Sequence, residues 1–438
     1  MLRFSPPTTL PATPATYGAL SFGVVVLLVG WVRRRRSVSL PPTPAPAPVS
    51  ALVLAPSAAP VPVPAPRKKQ APLGYHSPLC SSADIVSLEQ FNYRETAPAK
   101  FRPFKPDHQH AMGRSPLLPS SSKVRFVPAP TVDPSLTRLL PSGVESCPAS
   151  ELILIDHLYP SRISLRKRLL QTQPTATLVH SSPASIPAIT ELYTFLLRTY
   201  LPIRFPSHFI LSPSGTLFTN LITHDTHPIA PPPHTNPSDP APALRILATS
   251  IEEDVMVLLP DQSGVYRLAA FACCFPSGYA PERKAGMSLD ELHAPVPGYA
   301  DKLSVSMNRF FSRLRPGLEN AVRRYNWAIT THDRLFALHG NQHYDDEDEE
   351  DYEEEEEEDE RVDPENCRLR VERQVLWKLP GTQAAVFMIK TYLYTLAEVK
   401  AEGLAEELAR SIEGMGEDMG RYKRRGVWGE KVVEFLRS

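Results

Sequence analysis

The stretch RLRVERQVLWKLPGTQAAVFMIKTYLYTL, residues 368–396, decides the fold class. From Arg368 to Leu379 the side chains alternate. Leu369, Val371, Val375, Trp377 and Leu379 share one parity; Arg368, Arg370, Glu372, Gln374 and Lys378 share the other. A period of two is that of a strand, and one apolar parity predicts a strand with a single buried face. Pro380-Gly381 interrupts the run and Ala384 to Leu396 resumes it, which predicts a second, antiparallel strand of the same sheet.

Upstream, Asp254–Leu259 and Val265–Phe275 flank Pro-Asp-Gln-Ser-Gly, a hairpin signal, and the second run is apolar on both parities, as in a buried strand. Ser288-Leu289-Asp290-Glu291 is a capping box that starts a short helix, and the prolines of His293-Ala-Pro-Val-Pro-Gly298 must end it. A longer helix is predicted from Tyr299, with Ala300, Leu303, Met307, Phe310, Phe311 and Leu314 on one face. Downstream, a charged helix runs over roughly 397–412, followed by the basic stretch Tyr422–Arg425. Strands, helices and strands again in this order give an α+β fold, an antiparallel sheet covered by helices.

Of the 48 prolines in 438 residues, 40 precede residue 246, so the folded mass sits late in the chain. Residues 1–16 read as a short tail. Tyr17–Val32 is uncharged, and Arg33–Arg36 follow at once. An apolar run with its positive charges behind it predicts a single transmembrane anchor rather than a cleaved signal, with the body facing the cytosol, at the endoplasmic reticulum. Residues 33–90 read as a disordered, proline-rich stalk favouring extended polyproline II. Pro228–Pro242 reads as a surface loop within the domain.

The net charge of −1 conceals an acidic run, Asp345–Glu360, with 15 acidic residues in 16 positions; outside it stand 47 basic against 33 acidic side chains. Its surroundings, 341–364, read as a solvated, disordered insertion. The basic excess is scattered and gives no reason to expect nucleic acid as a partner. Five cysteines without paired spacing exclude a disulfide framework and a Cys-x-x-Cys zinc site. No glycine-rich phosphate loop, G-x-S-x-G or H-E-x-x-H is present, so a dinucleotide-binding domain is not expected.

Arg373 breaks the apolar parity of its strand between Val371 and Val375. A buried guanidinium needs an anion, either an internal carboxylate such as Glu252, Glu253 or Asp254, or the carboxylate of a ligand. His293 sits at a helix end with prolines fixing the backbone beyond it, which suits an iron ligand or, equally, a helix cap. Cys273 and Cys274 lie in the doubly apolar strand, where cysteines usually pack.

Ser250–Asp254, Cys274-Phe-Pro-Ser-Gly278, Lys284-Ala-Gly286, Leu292-His-Ala-Pro-Val-Pro-Gly-Tyr299, Asn326-Trp327 and Leu369-Arg-Val-Glu-Arg-Gln374 occur in an order that resembles the heme-dependent oxidative N-demethylase alpha-subunit family. Arg102-Pro-Phe, His110–Gly113 and Leu201-Pro-Ile-Arg-Phe-Pro206 are weaker echoes, so the resemblance covers about 95–424 within a domain set at 91–424, with 425–438 a C-terminal tail. The resemblance implies a PAS-like fold holding heme b. It implies an oxidoreductase that removes a methyl group from a small secondary amine, using oxygen and electrons delivered from NADPH by a separate reductase protein. It makes His293 the favoured axial iron ligand and Arg373 a propionate or active-site partner, with Arg204 and Asn326 as lesser cofactor-binding candidates. Anchor, stalk and acidic insertion are additions to the family pattern, and place the domain beside a membrane and a membrane-bound reductase. A non-catalytic PAS-like ligand sensor or membrane-tethered adaptor, and a heme-free structural domain, stay open as alternatives.

Overall fold

The computed structural model describes residues 84–100, 144–173, 178–233, 241–343 and 362–438. The deciding stretch forms two strands, β9 (Arg368–Lys378) and β10 (Ala385–Thr395), antiparallel over their whole length. The hairpin expected upstream is β6 (Asp254–Pro260) and β7 (Tyr266–Ala272). With β1 (Glu145–Ser146), β2 (Val179–Ser181) and β8 (Val322–Thr330) they build a seven-stranded antiparallel sheet, in the order β1-β8-β9-β10-β6-β7-β2. A separate three-stranded meander, β3 (Phe209–Leu211), β4 (Leu217–Asn220) and β5 (Asp225–Pro228), packs Phe209 and Phe218 into the main core. The α+β class and the antiparallel sheet with helices are therefore as the alternation indicated.

The expectation of a single buried face on β9 is corrected. Nine of the eleven β9 positions are buried, so the two parities cannot be told apart by burial: Arg370, Gln374 and Lys378 are as buried as Val371 and Val375. The reason is helices on both sides of a central strand. On the odd face, Val375 and Trp377 share a core with α1 (Tyr159–Thr172), α2 (Ile186–Thr194), which continues through a π-helical turn, Phe195–Tyr200, into α3 (Leu201–Arg204), and α4 (Pro242–Ala248); the Phe195 and Trp377 rings lie 5.4 Å apart. Leu369 and Val371, on the same face, pack under the C-terminal helices. On the even face Leu376 lies under α5 (Leu289–His293), α6 (Tyr299–Lys302) and α7 (Ser304–Arg313). Lys378 is accommodated there because its Nζ donates to the Phe311 carbonyl near the end of α7, 3.2 Å away, where helix carbonyls lack partners.

The capping box is present in full. Ser288 Oγ accepts from Glu291 N, and Glu291 Oε2 accepts from Ser288 N. The helix expected to run on from Tyr299 is two pieces, interrupted at Leu303, and Ala300 is exposed; the inward face is Met307, Phe310 and Phe311. The helix expected over 397–412 likewise divides into α8 (Leu396–Ala401) and α9 (Ala405–Glu413), parted at Gly403, whose φ of 74° belongs to the left-handed region that favours glycine.

Two boundaries differ from those expected. Residues 84–90 belong to the body and not to a stalk, since Ile85 is buried and Leu88 N donates to the Arg204 carbonyl. Residues 425–438 are a helix and not a tail. After α10 (Glu417–Tyr422), α11 (Arg425–Arg437) inserts Trp428, Val432 and Leu436 into the core beside Leu408 and Ile412. Among the described residues no helix is long and apolar enough to cross a membrane. The anchor expected at 17–32, the stalk up to residue 83 and the acidic run lie outside the described residues.

Candidate functional site

The even face of β9 is the floor of a cavity of about 280 Å³, whose roof is α5–α7. Cross-strand register sets the floor. Asn326 lies opposite Glu372, and Arg324 opposite Gln374; Gln374 is followed across the sheet by Ile389 and Asp254. In the next row, Val322, Leu376, Phe387, Met256 and Phe271 adjoin in turn. The cavity is thus polar along β8 and β9 and apolar toward β6 and β7. Leu289, Leu292, Val296, Met307, Phe310 and Phe311 close it from above. An apolar enclosure with a few convergent polar groups is the usual form of a small-molecule site.

His293 reaches this cavity from the last position of α5. Its Nδ1 donates to the Leu289 carbonyl, 2.7 Å away, which fixes the tautomer with the Nε2 lone pair free of a proton. Tyr299 stacks on the ring, 4.9 Å between centroids and 13° between planes, and Tyr299 is itself held by donating to Asp290 at 2.9 Å. Burial pulls the His293 pKa down to about 4, with the charges of Arg324 and Lys284 acting in the same direction, so the ring is neutral at ordinary pH. A neutral, singly oriented imidazole at an apolar cavity has the lone pair and the fixed orientation that metal ligation requires. Among the described residues no three His, Cys, Asp or Glu side chains converge to hold a bare ion. The donor set fits a metal whose remaining positions are filled by a macrocycle, as in a heme with one protein ligand.

Asn326 also lines the cavity, with its amide 3.5 Å from Glu372 Oε2. Glu372 accepts from Gln374 Nε2 at 3.0 Å and is paired with Arg370 at 3.5 Å. Arg373 does not line the cavity. It points from the odd face and donates to the carbonyls of Glu151 and Leu152, tying the segment after β1 to the sheet. Of the three carboxylates suggested as its partners, Asp254 is paired with Arg166 at 2.7 Å and Glu252 with Lys390 at 2.7 Å, while Glu253, which feels the Arg373 charge, accepts its hydrogen bond from Leu154 N. Arg204 is remote as well, donating to the Val86 carbonyl.

Cys273 lines the wall, with its sulfur 3.6 Å from both Asp254 and the Tyr279 hydroxyl, and burial pushes its thiol pKa well up. Cys274 is pushed up to about 11, so neither offers a thiolate at neutral pH. Sequence reading missed Arg324, Glu372 and Gln374. For Glu372 and Gln374 the available signal was the polar parity of β9, which alternation alone assigns to solvent; Arg324, on β8, is placed by its register opposite Gln374. Over residues 143–433, two thirds of the chain, the sequence matches the family model described as "Haem-dependent oxidative N-demethylase, alpha subunit-like". The match begins later than the resemblance drawn from motifs and extends into α11.

Proposed function

The chain belongs to the haem-dependent oxidative N-demethylase, alpha subunit-like family, and from that premise we propose that the cavity between the sheet and α5–α7 holds heme b with His293 as its axial ligand. The observation that carries the proposal is the His293 imidazole, locked by the Leu289 carbonyl and presented neutral to an apolar cavity. When bound, the heme supplies the redox chemistry by which oxygen oxidises an N-methyl group of a small secondary amine.

The chain's own part is to orient and enclose. The Leu289 carbonyl holds the ligand tautomer, and Phe310, Phe311, Leu292 and Phe387 exclude water from the reacting face. Asn326, Glu372 and Gln374 offer oxygen acceptors on the floor for the N–H of an amine. A PAS-like description of the fold is part of this proposal, supported by the antiparallel sheet with a helix-roofed cavity. So is electron supply from NADPH through a separate reductase, for which the lack of a glycine-rich dinucleotide motif is supporting. The uncharged run at 17–32 with Arg33–Arg36 behind it supports a single-pass membrane protein with its domain in the cytosol.

The test is to express the full chain with heme precursor, and record the visible spectrum with a pyridine hemochrome assay. The expected result is a Soret band near one heme per chain in the wild type, lost in a folded His293→Ala variant. A colourless, folded wild type overturns the proposal. With heme present, release of formaldehyde from dimethylamine then tests the reaction.

A further inference from the structure

We propose that the cavity contains a carboxylate-binding subsite built on Arg324. This deepens the reading of the cavity as a ligand site, and stands on the charges that line it. Four basic side chains line the cavity, His293, Lys284, Arg323 and Arg324, with two carboxylates, Asp254 and Glu372. Asp254 is consumed by Arg166, and also accepts from the backbone N–H groups of Cys274 and Phe275 at 2.7 and 2.9 Å. Arg323 is consumed by Glu145 and Glu151. His293 is neutral.

Arg324 is in a different position. Its one hydrogen bond runs from Nε to the uncharged Gln374 Oε1, leaving both terminal nitrogens of the guanidinium fork without a protein acceptor among the described residues. The nearest negative charge, Glu372, is already paired with Arg370 and hydrogen-bonded by Gln374. Lys423, which also feels the Glu372 charge, adds a further cation on the same side, with its Nζ donating only to the Trp327 carbonyl. This end of the cavity therefore holds more positive charge than its own carboxylate can match.

A half-buried guanidinium without an anion is costly, and an anion-free fork at a cavity wall is matched in shape by a carboxylate, which takes two parallel N–H donors. The strain registers in Arg324 itself, whose pKa burial pulls down to about 10. Glu372, on the adjoining strand, prevents the site from accepting anions indiscriminately. A ligand that is anionic at one end and cationic or N–H-bearing at the other meets both charges. The carboxylate can come from a propionate of the heme or from a small amino-acid-like substrate such as an N-methyl amino acid.

The experiment compares the full-length wild type with Arg324→Met using three probes: heme, heme dimethyl ester, in which the propionates are uncharged, and sarcosine. Soret titrations give the porphyrin affinities, and melting curves give the sarcosine response against dimethylamine as the carboxylate-free control. If Arg324 holds a propionate, the wild type prefers heme to the ester by about tenfold or more, and Arg324→Met erases that preference. If it holds a substrate carboxylate, the porphyrin preference survives in Arg324→Met while the stabilisation by sarcosine is lost and dimethylamine is unaffected. Should the wild type take up neither porphyrin, the heme reading fails, and loss of the sarcosine shift in the variant still upholds the subsite. A folded Arg324→Met that responds to all probes as the wild type does overturns it. Where Arg324→Met does not fold, Arg324→Lys, which keeps the charge and loses the fork, is read the same way: unchanged affinities for every probe overturn the subsite.

Discussion

Glu372 and Arg373 are neighbours in sequence and face opposite sides of the sheet: Glu372 lines the cavity, while Arg373 is buried on the other face, bonded to the carbonyls of Glu151 and Leu152. Arg373 lies between two parts of the core, with Leu369 and Val371 packed under the C-terminal helices, and Val375 and Trp377 under α2. Its guanidinium is held by the Glu151 and Leu152 carbonyls and by Cys147 Sγ, 3.6 Å away. Replacing it should be a stability event, and replacing Glu372 a ligand event. Arg373→Met is expected to lose about 1–3 kcal/mol in urea unfolding through the carbonyls left without donors, with ligand affinity of the folded fraction unchanged. Glu372→Gln should also cost some stability, since it leaves the buried Arg370 without its carboxylate, but unlike Arg373→Met it should alter amine binding. The reverse pattern would show that the two faces have been assigned wrongly.

His293 makes a pH prediction of definite sign. Its folded pKa, about 4, lies below its ordinary 6.5, so the unfolded chain takes up the proton first. The stability it contributes is complete above about pH 6.5 and declines as the pH falls toward 4, by at most about 3–4 kcal/mol. In apo protein, His293→Phe should flatten the stability profile over that window. In heme-loaded protein the Soret band should persist from pH 8 to about 5, because a proton competes for Nε2 only near the folded pKa. Loss of the band at pH 6 to 7 would count against His293 as the ligand.

Lys390 holds two buried carboxylates, Asp156 at 3.1 Å and Glu252 at 2.7 Å. Its Nζ also donates to the Leu154 carbonyl at 2.6 Å. Lys390→Met leaves two buried acids without their cation, and should cost about 3–5 kcal/mol in denaturant unfolding. Adding Glu252→Gln should recover part of that loss. A single variant as stable as the wild type would mean that the acids are protonated without Lys390.

Gly278 has a φ of 73°, and a Cβ there would meet Gln342 N at 3.1 Å and Asn341 Cβ at 3.2 Å. Gly278→Ala should cost about 1 kcal/mol or more for the backbone conformation alone. Since Gln342 and Ser277 line the cavity, ligand affinity should fall with it. Melting curves with and without ligand separate the two effects; an alanine variant with wild-type stability would show that the turn relaxes freely.

Removal of 425–438 should abolish cooperative unfolding, because Trp428, Val432 and Leu436 complete the core under β9 and β10. Trp428→Ala alone should cost about 3–5 kcal/mol. Circular dichroism melting of the truncated chain checks the first statement, and a sharp transition near that of the wild type would refute it.

What sequence determined by itself was local. The alternation of 368–379, the Pro-Gly turn, the hairpin at 254–275 and the Ser288 capping box each specify an element through a period or a cap that spans a few residues, and each is present. His293 and Asn326, which line the cavity, stood out as candidates because proline-bounded and motif-bearing positions are visible in one dimension. Which polar side chains face a cavity and which face water was not legible. Arg370, Glu372, Gln374 and Lys378 share one parity, and tertiary packing makes it an interior: α5 and α7 are drawn over Gln374 and Lys378 from more than fifty residues upstream, and Arg370 is met by the Leu335 and Phe275 carbonyls. Arg324 and Arg373 are opposite one residue's remove from each other across β8 and β9, since Arg373 pairs with Tyr325 in the register. One lies at the cavity and the other in the core because successive residues of a strand point to opposite faces, and the tertiary packing decides what each face meets.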